Sequence, residues 1–139
     1  MRNALCRCYT RPHMTKGNYV DGFVLVVPKK NKKVYKKMAA EAATIWKKFG
    51  ALDYKECVGD DMKPNMQGMP VLTFPKMTKS RPSEAVWFSF IVFKDKRHRD
   101  TVNKKVMSYF NKKYANQKDQ KMPFDLKRMA YGGFSVMVS

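Results

Sequence analysis

Charged and hydroxyl side chains set inside otherwise apolar runs are the places where this chain could do chemistry, because a charge taken out of water must be paired or put to use. Asp21 stands between Val20 and Gly22, Glu56 in the alternating stretch 52–58, Ser89 in the apolar run 85–93, and Arg128 and Tyr131 at the start of the last apolar run. A carboxylate among apolar neighbours suits a general base, and a guanidinium or a phenol suits the orientation of an anionic or carbonyl group. Asp21 and Glu56 are therefore the candidate bases, and Arg128 and Tyr131 the candidate orienting groups, of a small ligand cavity between helices and sheet. The simpler reading of the same residues is structural: Asp21 and Arg128 neutralise each other if the last strand lies beside the first.

Other constellations carry less. Cys6, Cys8 and Cys57 cannot all pair within one chain, and a lone C-x-C offers too few zinc ligands, so free thiols in a reducing cytoplasm are expected. His13 and His98 lie in separate basic segments without partner ligands, which argues against a metal site and against a His-based triad. Asp60 and Asp61, being adjacent, point in different directions and read as turn formers. Arg99, Asp100 and Asn103, with Asp125, read as a helix-start network that holds the last loop. The phosphate-cradling GxxxxGK, a GxGxxG after a strand, H-E-x-x-H and the G-x-S-x-G elbow are all missing, and no cofactor is expected.

Charge is the strongest compositional signal. Twenty-nine Lys and Arg against eleven Asp and Glu give a formal net charge of +18, which favours acidic partners without specifying one. The clusters KKNKKVYKK, KDKRHR and NKKVMSYFNKK make Lys32, Lys33, Lys36, Lys37, Arg97, Arg99, Lys104, Lys105, Lys112 and Lys113 the candidate contacts to nucleic-acid phosphates. The interleaved Tyr35, Trp46 and Phe110 fall on helix core stripes, so attraction to RNA or DNA would be non-specific.

The elements that must position these residues follow from the hydrophobic pattern. The first strand, over residues 19–27, is apolar on both faces and ends at Pro28. From Asn31, a candidate N-cap, Val34, Tyr35, Met38, Ala39, Ala42, Ile45, Trp46 and Phe49 recur with helical spacing until Gly50. Residues 52–58 alternate as an edge strand, and residues 60–83, with four prolines, form a long connection with an extended piece near residues 71–74. Residues 85–93 are the strongest strand signal and should be central; Asp95 then caps a second helix with a Val102, Val106, Met107, Phe110 and Tyr114 stripe, and residues 129–138 supply a last strand.

The order is β-α-β-β-α-β, an α+β, ferredoxin-like domain with an antiparallel sheet and two helices on one face. Two helices cover only one face, yet Val24, Val26, Trp87 and Phe93 cannot all share it with Phe23, Leu25 and Phe88. A second copy packed sheet to sheet is the expected cover, giving a homodimeric α/β barrel. The 139 residues suffice for one domain, over 17–139, preceded by a basic, disordered extension over 1–16 in which Met14 offers an alternative start. The nearly apolar runs 23–27 and 85–93 fall short of the roughly 20 residues of a membrane-spanning helix, so no membrane association is expected.

The assembled chain resembles the bacterial YbaA-like family over residues 19–134, through YVDGF at 19–23, FGA at 49–51, GDD at 59–61 and VWFSFI at 86–91. The RD-x-x-N pattern of Arg99, Asp100 and Asn103, MPFD at 122–125 and RM-x-YGGF at 128–134 continue it. The resemblance implies a fold and a dimer but no reaction, since that family is uncharacterised. The basic extension and the heavy lysine content depart from the family pattern.

Overall fold

A computed structural model describes residues 17–117 and 119–139, so the expectations about residues 1–16, with Cys6, Cys8 and His13, lie outside the described residues. The strands are β1 (Tyr19–Pro28), β2 (Asp53–Val58), β3 (Glu84–Phe93) and β4 (Ala130–Ser135); the helices are α1 (Lys32–Lys48), α2 (Phe74–Thr78) and α3 (Lys96–Lys113). The protein is an α+β fold with one open, antiparallel four-stranded sheet in the order β2-β3-β1-β4. The two doubly apolar runs, β1 and β3, take the centre, and the alternating β2 takes an edge, as their burial patterns require.

Local chemistry sets the boundaries. Gly50, at φ +118, ends α1 in a conformation that a side chain would resist. Asp95 caps α3 by accepting a hydrogen bond from the His98 backbone N–H at 2.7 Å. Asn31 precedes α1 but does not cap it with its side chain; its Nδ2 donates instead to the Pro123 carbonyl at 3.0 Å and ties the helix start to the segment before β4. The extended piece expected near residues 71–74 forms no strand: residues 71–73 are irregular, and the short α2 begins at Phe74, because Thr73 serves as N-cap and a proline is tolerated in the first helical turn.

Register fixes the phase that two-sided apolar runs leave open. Phe23 lies opposite both Ser89 and Tyr131, and Ser89 lies opposite Glu56. Asp21, Glu56, Ser89 and Tyr131 therefore share one face of the sheet, the face that α1 and α3 cover. Trp87 and Phe93 join Phe23 and Leu25 on that face, while Val24, Val26 and Phe88 lie on the other. One core cluster gathers Tyr19, Ile45, Ile91, Phe93, Val102 and Val106, and a second gathers Leu25, Val27, Tyr35, Ala39 and Trp87. On the opposite face Val26 and Val86 are buried beside the β2–β3 connection, whereas Phe88 and Phe134 stand 45% and 61% exposed.

Candidate functional site

Between α1, α3 and the sheet lies a cavity of about 470 Å³. Phe23, Leu25 and Ile91 line it from the sheet, Met38, Ala42 and Trp46 from α1, and Phe110 from α3; Met122, Phe124 and Met129 line it from the segment before β4. Glu56 of β2 reaches into this apolar space, and both its oxygens accept from tyrosines: Oε2 from Tyr35 at 2.9 Å and Oε1 from Tyr54 at 2.7 Å. Tyr54 and Glu56 are two apart on a strand and share its inner face, while Tyr35 descends from the first turns of α1. Burial pushes the Glu56 carboxyl above its ordinary range, against the downward pull of the two hydroxyls. Burial and the neighbouring Glu56 push both phenols far upward, so they stay protonated and keep donating. Glu41, the other charged lining residue, is different: Lys113 and Tyr114 both donate to it and hold its carboxyl below the usual range.

A second polar cluster lies behind this cavity. Asp21, 1% exposed, accepts from Arg99 Nη1, Asn103 Nδ2 and Tyr131 OH, each at 3.2 Å. Arg99 also donates to Tyr131 OH at 3.0 Å and to Tyr19 OH at 3.2 Å; its Nε stands 2.9 Å from Asp100 at an angle that makes an ion pair but no hydrogen bond. Trp46 Nε1 donates to Asn103 Oδ1 at 2.9 Å, and Phe23 stacks on Tyr131 at 4.6 Å, so these two rings separate the cluster from the cavity. Gly133 is needed here, since a Cβ at that position would stand 2.3 Å from the Tyr19 hydroxyl.

The sequence candidates thus divide. Glu56 lines the cavity; Asp21 and Tyr131 belong to the cluster behind it; Arg128 belongs to neither. Asp21 and Arg128 do not pair. Arg128 makes a two-pronged contact with Glu84, at 3.0 and 2.5 Å, and binds Asp125 at 3.0 Å, holding the segment before β4 to the start of β3. The expected network of Arg99, Asp100, Asn103 and Asp125 is therefore split: Arg99 and Asn103 reach across to β1, while Asp125 serves Arg128. Sequence reasoning missed Tyr35 and Tyr54 as partners of Glu56. The two-residue spacing in β2 could have indicated Tyr54, but nothing local indicates Tyr35, 21 residues upstream.

Of the basic candidates, Lys32, Lys33, Lys36, Lys37, Arg97, Lys104, Lys105, Lys112 and Lys113 are exposed, whereas the Arg99 side chain is only 15% exposed and engaged with Asp21. Tyr35, Trp46 and Phe110 line the cavity and offer no outward stacking platform. His98 is a local anchor whose Nδ1 accepts from the Lys94 backbone N–H at 3.0 Å, and Cys57 is an exposed free thiol. Among the described residues no helix is long and apolar enough to cross a membrane, and no three His, Cys, Asp or Glu converge as metal ligands.

Comparison with known proteins places residues 18–126 in a match to the family described as "Protein of unknown function (DUF1428)". The "Uncharacterized protein YbaA" of Escherichia coli (strain K12) is 42% identical over 120 residues, covering 86% of this chain and 97% of that protein. The protein of the same description from Shigella flexneri matches at the same 42% identity and the same coverage. Among solved structures, "De novo designed protein Foldit4" aligns with a TM-score of 0.41 and 11% identity over 86% of this chain and 98% of that one.

Proposed function

This chain belongs to the DUF1428 family, and because that family carries no assigned reaction, we propose from the site itself that the protein binds a small organic molecule in the cavity above Glu56. One observation supports this reading: a carboxylate, oriented by two tyrosine hydroxyls, faces an otherwise apolar cavity of about 470 Å³. That volume falls in the range of small-ligand sites, which pair apolar walls with a few placed polar groups. Tyr35 and Tyr54 fix the carboxylate, and Glu56 is the group that holds a polar end of the ligand or exchanges a proton with it. Asp21, Arg99, Asn103 and Tyr131 position the wall of the site and do not touch its occupant.

Methionine methyl NMR tests the reading, because Met38, Met122 and Met129 line the cavity while Met107 and Met137 are exposed outside it. Ligands from a small-molecule set should shift the first three signals and spare the other two, and Ala42→Phe, which fills the cavity, should abolish the shifts. Shifts confined to Met107 or Met137, or shifts that survive Ala42→Phe, would overturn it.

The strand order, with α1 and α3 on one face, supports a ferredoxin-like assignment, and we infer that a second copy covers the other face. On that face the central strands present Val20, Val24, Phe88, Phe90 and Val92, with Phe134 of β4 beside them. In a chain of charge +18 these residues of the central strands carry no charge, and Asp53 and Lys55 of the β2 edge, opposite Val92 and Phe90, neutralise each other, so two copies can meet here without repelling. Sedimentation should give a dimer that Phe88→Lys with Phe134→Lys dissociates; a wild-type monomer would refute the pairing.

A further inference from the structure

The charge around Glu56 narrows the ligand, on the reading that the cavity binds a small molecule. In a chain with 29 Lys and Arg, the described lining residues of this cavity include no Lys, Arg or His. Its charged members are two carboxylates, and they are not equivalent. Glu41 is matched by Lys113, whereas Glu56 has only the neutral hydroxyls of Tyr35 and Tyr54 and, among the described residues, no ion-pair partner. An ionised carboxylate offers about four acceptor positions, so two hydroxyls leave Glu56 able to accept more. A carboxylate without a cation is costly in an apolar space, and a cation brought by the ligand would remove that cost. The rings of Tyr35, Trp46, Tyr54, Phe110 and Phe124 line the same space, and aromatic faces attract cations. An anionic ligand would meet Glu56 with nothing to offset the repulsion.

We propose that the occupant is an organic amine whose ammonium pairs with Glu56 while its apolar body packs among the aromatic and methionine side chains. The positive outer surface does not forbid this, because surface charge is screened over about 8 Å at physiological salt while the buried pair is not. Added salt should therefore leave amine binding unchanged or strengthen it, the opposite of phosphate-backbone binding.

Three probes of similar size separate the possibilities: phenethylamine as cation, 2-phenylethanol as neutral analogue and 3-phenylpropionate as anion. They are titrated into the full chain near pH ~7, where free carboxylates are ionised, and followed through the Met38, Met122 and Met129 methyl signals. Phenethylamine should bind at least about tenfold more tightly than 2-phenylethanol, and 3-phenylpropionate most weakly, as expected for a charge-assisted contact. Glu56→Gln should erase the preference for the amine. An independent readout in the wild type is pH: amine affinity should fall as acid protonates Glu56, which titrates before Glu41 because burial holds the one up while Lys113 and Tyr114 hold the other down. The phenols of Tyr35, Tyr54 and Tyr114 stay protonated throughout. If the alcohol or the propionate binds as tightly as the amine, or if acid leaves amine binding unchanged, the cation assignment is overturned and the cavity reading stands. If none of the three moves those methyls while other small molecules do, the cation assignment alone fails; if nothing moves them, both fail.

Discussion

Replacing Arg99 with leucine removes the cation from a carboxylate that is 1% exposed. Asp21 would keep Asn103 Nδ2 and Tyr131 OH, each at 3.2 Å, but neither carries charge. Breaking a buried pair from one side costs about 3–5 kcal/mol, and the two remaining donors place Arg99→Leu near the lower end, at about 3 kcal/mol. Asp21→Asn leaves the less buried partner, whose Nε is 2.9 Å from Asp100, and should cost less, about 1–2 kcal/mol. The double variant should fall short of the sum by about 2 kcal/mol, because the second change removes a group that the first has already stranded. Urea unfolding near neutral pH, followed by tryptophan fluorescence, reads all three. A domain of this size has about 5–15 kcal/mol to lose, so each variant should remain measurable. A loss below about 1 kcal/mol for Arg99→Leu, the value of an exposed pair, would refute the reasoning. So would additivity within about 0.5 kcal/mol.

Arg128 holds Glu84 down at about 2 from 4.5, so this contact contributes stability that is present above pH 4.5 and lost as pH falls through about 2. Arg128→Leu should flatten acid unfolding over that window, as read by urea midpoints at successive pH values. Glu56 has the opposite sign: its folded-state value is raised, so its contribution is full below pH 4.5 and declines as pH rises through the raised value. Glu56→Gln should remove that decline, and an unchanged slope in the same series would contradict the placement of its carboxyl. Gly133→Ala places a methyl 2.3 Å from the Tyr19 hydroxyl and should cost about 1–3 kcal/mol in thermal unfolding; a neutral effect would deny the close approach.

Element order was legible because its punctuation is chemical: Pro28, Gly50 and Asp95 mark boundaries that the structure keeps. Strand phase was not, since β1 and β3 are apolar on both faces and a run without alternation carries no information about which side is which. Thr73 and Pro75 form a helix start that resembles a loop until the cap is visible. Glu56 was legible from its place in an alternating strand, but its tyrosine partners make the site, and one of them comes from another element. The partner of Asp21 was hidden for the same reason. Arg99 lies 78 residues away at the start of a basic helix, where a solvated charge is the ordinary expectation, and only β1 packed beneath α3 brings the two together.

The claim that Glu56 is the anchor of a ligand cavity is tested most directly by following its carboxyl carbon by NMR through a pH titration, with and without saturating phenethylamine. In the free protein the carboxyl should titrate above 4.5, and the amine should move that titration downward by favouring the ionised form. A Glu56 that titrates at or below 4.5 would contradict the account of the site, and one whose titration is the same with the amine present would contradict the pairing of Glu56 with an ammonium.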